Sequence, residues 1–178
     1  QVGRPVRPLD VSPELGHFVG IKVNGDRVFA VLTDARAQPI TEHELPLSTT
    51  DVNDVVGVLA QIVAGFSSSV ERIVGVGVSL GGAVDDRGRV IRAPFLGWAG
   101  VDLGDALAAS TGLPVVVEND VVALVEAERW FGAGRGRSGF SVITIGVGVG
   151  YGLVVGGESV RTREAGVGLG GHIPLDPN

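Results

Sequence analysis

Short apolar runs punctuated by turn residues open the chain. His17 to Val23 reads as an apolar strand, Asn24-Gly25 as a type I′ hairpin turn, and Arg27 to Leu32 as the returning strand. Ile40 to Leu47 supplies a third strand, with Pro46 near its end, a placement that suits an edge. The period then changes. Val52, Val55, Val56, Leu59, Ile62, Val63 and Phe66 recur at helical spacing, with Thr50 or Asp51 available as a cap. Ile73 to Val78 is a buried strand ending at Ser79-Leu80-Gly81-Gly82, and Asp85-Asp86-Arg87-Gly88 is a turn. Asp102 to Ser110 is a short helix, capped by Asp102 and stopped by Gly112. Val115 to Val117 is another buried strand, and Asp120 to Phe131 a helix stopped by Gly132.

Gly132 to Gly139 is rich in Gly and Arg and marks a boundary. Beyond it the pattern is β again: Phe140 to Ile145, a glycine loop from Gly146 to Gly152, Leu153 to Val155, a Gly156-Gly157 turn, and a return from Glu158 to Arg161. A leading antiparallel meander followed by βαβα is the order of ribonuclease-H-like, actin-like lobes, whereas strict alternation would have indicated a Rossmann sheet. The predicted class is therefore α/β, with a mixed sheet in one lobe and the opening β-structure of a second. Residues 1–13, with Pro5, Pro8 and Pro13, form a linker; 14–136 form the first lobe; 137–178 begin an incomplete second lobe.

Composition narrows the function. The 178 residues are 44% hydrophobic, enough for a sizeable core. The 29 glycines are not periodic and cluster between apolar stretches, as tight turns and ligand-facing loops require. There is no Cys, which excludes a disulfide scaffold and fits a reducing, cytoplasmic compartment. The net charge of -6 argues against a free-standing nucleic-acid binder. No apolar run approaches the roughly 20 residues of a membrane span, and Gln1 to Asp10 lacks the apolar core of a signal peptide. The lack of any Met fits a piece of a longer protein.

Glu118-Asn119-Asp120 ends a buried strand and opens a helix, the place where open α/β sheets bind ligands. A carboxylate there can accept a bond from a substrate hydroxyl or take its proton; Asp120 can equally be a helix cap. Gly146-Val147-Gly148-Val149-Gly150-Tyr151-Gly152 can bring backbone N–H groups to phosphate or be only a turn, and no capped helix follows it. Arg135 and Arg137 read as a solvated boundary loop in preference to a phosphate site. His17 and His43 lack partner motifs, and Trp98 and Trp130 are expected to pack.

Taken in order, several segments resemble one family, the ROK (repressor, open reading frame, kinase) family. They are Val76-Gly77-Val78-Ser79-Leu80-Gly81-Gly82-Ala83-Val84-Asp85, Ala93-Pro94-Phe95-Leu96-Gly97-Trp98, Leu113 to Asp120, Trp130 to Gly136, Thr144 to Gly152, and Gly171-His172-Ile173-Pro174-Leu175-Asp176-Pro177. The resemblance covers nearly the whole chain. It implies either a sugar kinase or a sugar-responsive transcription regulator that carries an N-terminal winged helix-turn-helix. Gly3-Arg4-Pro5 and Pro8-Leu9 resemble the linker after that DNA-binding domain.

The resemblance assigns Asn119, Asp120, His172 and Gly82 to the ligand, with Asp120 the base if the protein is a kinase. It assigns Gly146, Gly148 and Gly150 to ATP if ATP binds. The nucleotide side departs from the kinase pattern: Lys22 replaces an Asp, Asp26 and Val147 replace threonines, and Tyr151 replaces a glycine. The sugar side is also altered, with Phe95 for an Asn and Leu169 for a Glu. His172 matches a zinc ligand, but the cysteines of that site would lie beyond Asn178, so no metal is expected within this chain and zinc only in a longer one. The expectation is a sensor of a sugar-like effector in a repressor, without ATP or Mg²⁺. Operator DNA would be reached only through a domain outside this sequence, in a homo-oligomer, with an ATP-dependent, glucokinase-like sugar kinase as the alternative.

Overall fold

The computed structural model describes residues 11–160. A 3-10 turn, Pro13–Leu15, leads into three strands, β1 (His17–Val23), β2 (Arg27–Thr33) and β3 (Pro39–Pro46). Helix α1 (Val52–Ser67) and strand β4 (Ile73–Leu80) follow. Three short strands come next, β5 (Ala83–Val84), β6 (Val90–Ala93) and β7 (Trp98–Val101), then α2 (Leu103–Thr111), β8 (Val115–Asn119) and α3 (Asp120–Trp130). The chain then forms β9 (Gly139–Ile145), β10 (Val149–Val155) and β11 (Glu158–Ser159).

The main sheet has the order β3-β2-β1-β4-β8. Its first three strands are antiparallel, and β1–β4 and β4–β8 are parallel. That mixed order is the expected ribonuclease-H-like, actin-like lobe. Alternate residues of the strands face the core: Val19, Ile21 and Val23 on β1, Val28, Ala30 and Leu32 on β2, Val76, Val78 and Leu80 on β4. The apolar stripe of α1, including Val55, Leu59, Val63 and Phe66, closes over them. Each Val, Ile, Leu or Phe among them contributes about 1.5–3 kcal/mol on burial. Asp51 caps α1, its carboxylate accepting from the Asn53 and Asp54 amides. His43 stacks on Phe66 with ring centroids 5.0 Å apart, and the His17 ring bonds the Arg72 carbonyl at 3.1 Å.

Several sequence expectations need correction. The β1–β2 turn is centred on Gly25 and Asp26, closed by the Asn24 N–H to the Arg27 carbonyl at 2.9 Å, and neither residue has a positive φ, so it is not type I′. Gly25 is needed because a Cβ there would lie 2.7 Å from the Phe95 carbonyl oxygen. Asp102 precedes α2 but makes no capping bond; its carboxylate pairs with Arg89 at 3.3 Å. Strands β5, β6 and β7 form a separate small sheet that the apolar pattern did not announce. Trp98 packs as expected, its indole N–H donating to the Thr50 carbonyl, whereas Trp130 is 59% exposed.

The glycine loop is shorter than predicted. Strand β10 begins at Val149, so only Gly146-Val147-Gly148 turns. Gly150 and Gly152 lie within the strand, and their missing Cβ atoms make room for Val121 and Val125 of α3. Helix α3 thus touches β4 and β8 of the first sheet and β9, β10 and β11 of the second, the three-stranded sheet β11-β10-β9. Residues 1–10 of the predicted linker, and the segment holding Leu169 and His172, lie outside the described residues.

Candidate functional site

Strands β4 and β8 run parallel with Leu80 beside Asn119, so both bring their carboxyl ends to one edge of the sheet. That edge is where α/β sheets open to ligands. Asn119 caps α3, its Oδ1 accepting from the Val121 and Val122 amides at 2.9 and 3.2 Å. Its Nδ2 donates to the Gly82 carbonyl at 2.8 Å. Asn119 is 4% exposed, and these bonds leave it one amide hydrogen for a ligand, less than the sequence reading asked of it. Gly82 has a steric reason as well. A Cβ there would collide with the Arg92 carbonyl and lie 2.9 Å from the Ala93 Cα.

Because Asn119 holds the cap, Asp120 is released from that role. Asp120 Oδ2 lies 3.3 Å from the Lys22 ammonium of β1. Both side chains reach the cleft between the two sheets. The cleft has a chamber of about 400 Å³ at Gly82, Arg92 and Asn119, and one of about 970 Å³ at Lys22, Asp26 and Val147. Asp120, Phe95 and Thr144 border both chambers. Phe95 is 61% exposed and lies over Gly81. Asp26 pairs with Arg27 at 3.2 Å. Val147, at the tip of the β9–β10 turn, is 91% exposed.

The structure brings together Asn119, Asp120, Gly82, Gly148 and Gly150 around the smaller chamber, and Gly146 joins the larger. Gly150 lines it from within a strand, so its amide belongs to a β-ladder in place of a phosphate loop. Sequence reasoning missed the Lys22–Asp120 ion pair, which joins positions 98 residues apart. It named Thr144 only as part of a resembling segment and missed Arg92; the register of Thr144 opposite Gly150 appears only once the hairpin is placed.

Glu126 holds α3 to the second sheet. It accepts from the Ser159 hydroxyl and from Arg129 Nε at 3.0 Å. Burial pushes its carboxyl up, but the Ser159 bond and the bond and charge of Arg129 outweigh it, leaving Glu126 below the ordinary carboxylate value.

A mixed sheet of this order, with a helix bridging to a second sheet, defines an α/β protein of the actin-like fold. The sequence pattern that defines the ROK family matches residues 18–178, and the chain belongs to the ROK family. It is 33% identical over 165 residues to a glucokinase of Streptomyces coelicolor, covering 92% of this chain and 51% of that one. It is 28% identical over 181 residues to the DNA-binding transcriptional repressor Mlc of Escherichia coli, covering 98% and 45%. Among solved structures, a ROK family transcriptional regulator homologous to the E. coli Mlc protein superposes with a TM-score of 0.81 at 26% identity, covering 92% of this chain and 43% of that one. The chain spans about half the length of these relatives.

Proposed function

We propose that this chain is the effector-sensing part of a ROK-family transcription regulator, probed by a sugar or sugar-like ligand in the cleft, and that it does not catalyse phosphoryl transfer. The observation that carries this reading is the Lys22–Asp120 pair at 3.3 Å. Phosphoryl transfer demands metal and donors around the phosphates. An ammonium at Lys22 offers a divalent cation no lone pair and repels it. Asp26 brings a carboxylate to the same chamber, where it repels phosphate, and Val147 offers no hydroxyl. ATP and Mg²⁺ do not fit this residue set.

Asp120 can still accept bonds from paired sugar hydroxyls, exchanging its contact with Lys22 for them. Phe95 presents a ring edge or face to the apolar side of a sugar. Lobe closure on that ligand would shift an attached DNA-binding dimer between two states, by differential contact in each. Operator DNA would be bound through a further domain, in a homo-oligomer. Calorimetry of the intact protein against a sugar panel tests the site. An effector that binds, and that loses at least tenfold in affinity on Asp120→Asn, supports it. Unchanged affinity in that variant places the effector elsewhere. The alternative reading, an ATP-dependent sugar kinase with Asp120 as base, rests on the glucokinase likeness and on Asp120 itself.

A further inference from the structure

A second cavity lies at the far end of α3 from Asp120. Ten residues of helix separate Asp120 from Trp130, about 15 Å at 1.5 Å per residue. The cavity has a volume of about 640 Å³ and shares no lining residue with either chamber of the cleft. Three segments build it: the β2–β3 turn with Arg36, the end of α3 with Arg129 and Trp130, and the boundary loop with Arg135 and Arg137. Among the described residues four arginines line it and no carboxylate does, in a chain whose net charge is -6.

The arginines are not equivalent. Arg129 is paired with Glu126 at 2.9 Å and donates to the Gly157 carbonyl. Arg36 Nε donates to the Val11 carbonyl at 2.7 Å. Among the described residues Arg137 uses only Nε, on the Ala133 carbonyl at 3.1 Å. The Arg135 side chain makes no hydrogen bond or ion pair among the described residues. A helix C-terminus attracts cations by itself, but the Ala127 and Glu128 carbonyls of α3 are met by the amides of Phe131, Gly132 and Gly134, and Arg137 turns to the Ala133 carbonyl beyond the helix. Among the described residues neither the Arg135 nor the Arg137 side chain donates to a carbonyl of α3, so their remaining donors and charge face the cavity. Trp130 and Phe131, 59% and 62% exposed, supply flat apolar surface beside them, and Arg129 stacks on the Trp130 ring at 5.0 Å.

We infer that this cavity binds a small anionic ligand with a planar ring, of the nucleoside diphosphate class. Guanidinium forks match phosphate oxygens in pairs, a base stacks on an exposed indole, and the volume falls within the range of small-molecule sites. A concave cavity of this size favours a small ligand over an extended polymer. The site is separate from the cleft and independent of whether the cleft senses or phosphorylates sugar.

The test is a titration of the intact protein with ADP at low salt, read by Trp130 fluorescence and by calorimetry, with pyrophosphate, adenosine and a poly-glutamate peptide as further arms. Trp98 is buried and serves as the silent reference. ADP should bind and quench the exposed indole, with pyrophosphate and adenosine each at least tenfold weaker. Arg135→Ser with Arg137→Ser should weaken ADP at least tenfold, and Trp130→Leu should remove the quench. These exposed changes leave the core untouched. No ADP binding at millimolar concentration, equal affinity for pyrophosphate, or tighter binding of the peptide would overturn the assignment. So would ADP binding that survives the double arginine change and disappears in Val147→Glu, which places the nucleotide in the cleft.

Discussion

Replacing Asn119 with Ala removes two supports at once. The first is the cap on α3, made by Oδ1 to the Val121 and Val122 amides, and loss of such a cap costs about 0.5–2 kcal/mol. The second is the part-buried Nδ2 bond to the Gly82 carbonyl at 2.8 Å, whose loss costs about 0.5–1.5 kcal/mol. Together they should destabilise the fold by about 1–3 kcal/mol. That is a large part of a typical domain stability of about 5–15 kcal/mol. Asn119→Asp keeps the capping acceptor but turns the donor to Gly82 into a second acceptor, so it should recover about 1 kcal/mol of the loss and no more. Urea unfolding followed by circular dichroism is the assay. With a slope of about 2 kcal/mol per molar, the Ala variant should unfold roughly 0.5–1.5 M earlier. A change below about 0.5 kcal/mol in Asn119→Ala, or full recovery in Asn119→Asp, would refute the structural role assigned to Asn119.

Gly152→Ala should destabilise by about 1–3 kcal/mol through overpacking, because its Cβ would strike Val125, and thermal unfolding would show it. Asp51→Ala should cost about 1 kcal/mol from the loss of the α1 cap, measurable in the same urea titration. Glu126 has a lowered carboxyl value in the fold, so its contribution is present above the unfolded value of about 4.3 and lost as pH falls through the folded one; Glu126→Gln should flatten the acid limb of stability against pH. The chain alone, at net charge -6, should show no sequence-selective retention of operator DNA in a salt-graded mobility assay.

The β1–β2–β3 meander, α1, β4 and the β8–α3 junction were legible because each carries its own signal: turn residues, a helical stripe of valines, a cap. Strands β5, β6 and β7 were not, since two to four residues hold no period. Gly150 and Gly152 misled for a physical reason. In sequence a glycine serving a turn and one serving close helix packing look alike, and only α3 lying on β10 separates them. The cleft was anticipated at Asp120, but capping was given to the wrong neighbour by one residue. Lys22 read as the loss of an acidic side chain; its pairing with Asp120 needed β1 and α3 placed side by side.

The most direct measurement is a coupled ADP-release assay on the intact protein with ATP, Mg²⁺ and a panel of hexoses. With Lys22 held against Asp120, Asp26 lining the larger chamber and Val147 at the loop tip, no sugar should raise ADP release above the background ATPase rate. Sugar-dependent turnover that disappears on Asp120→Ala would contradict the regulator reading and make the protein a sugar kinase.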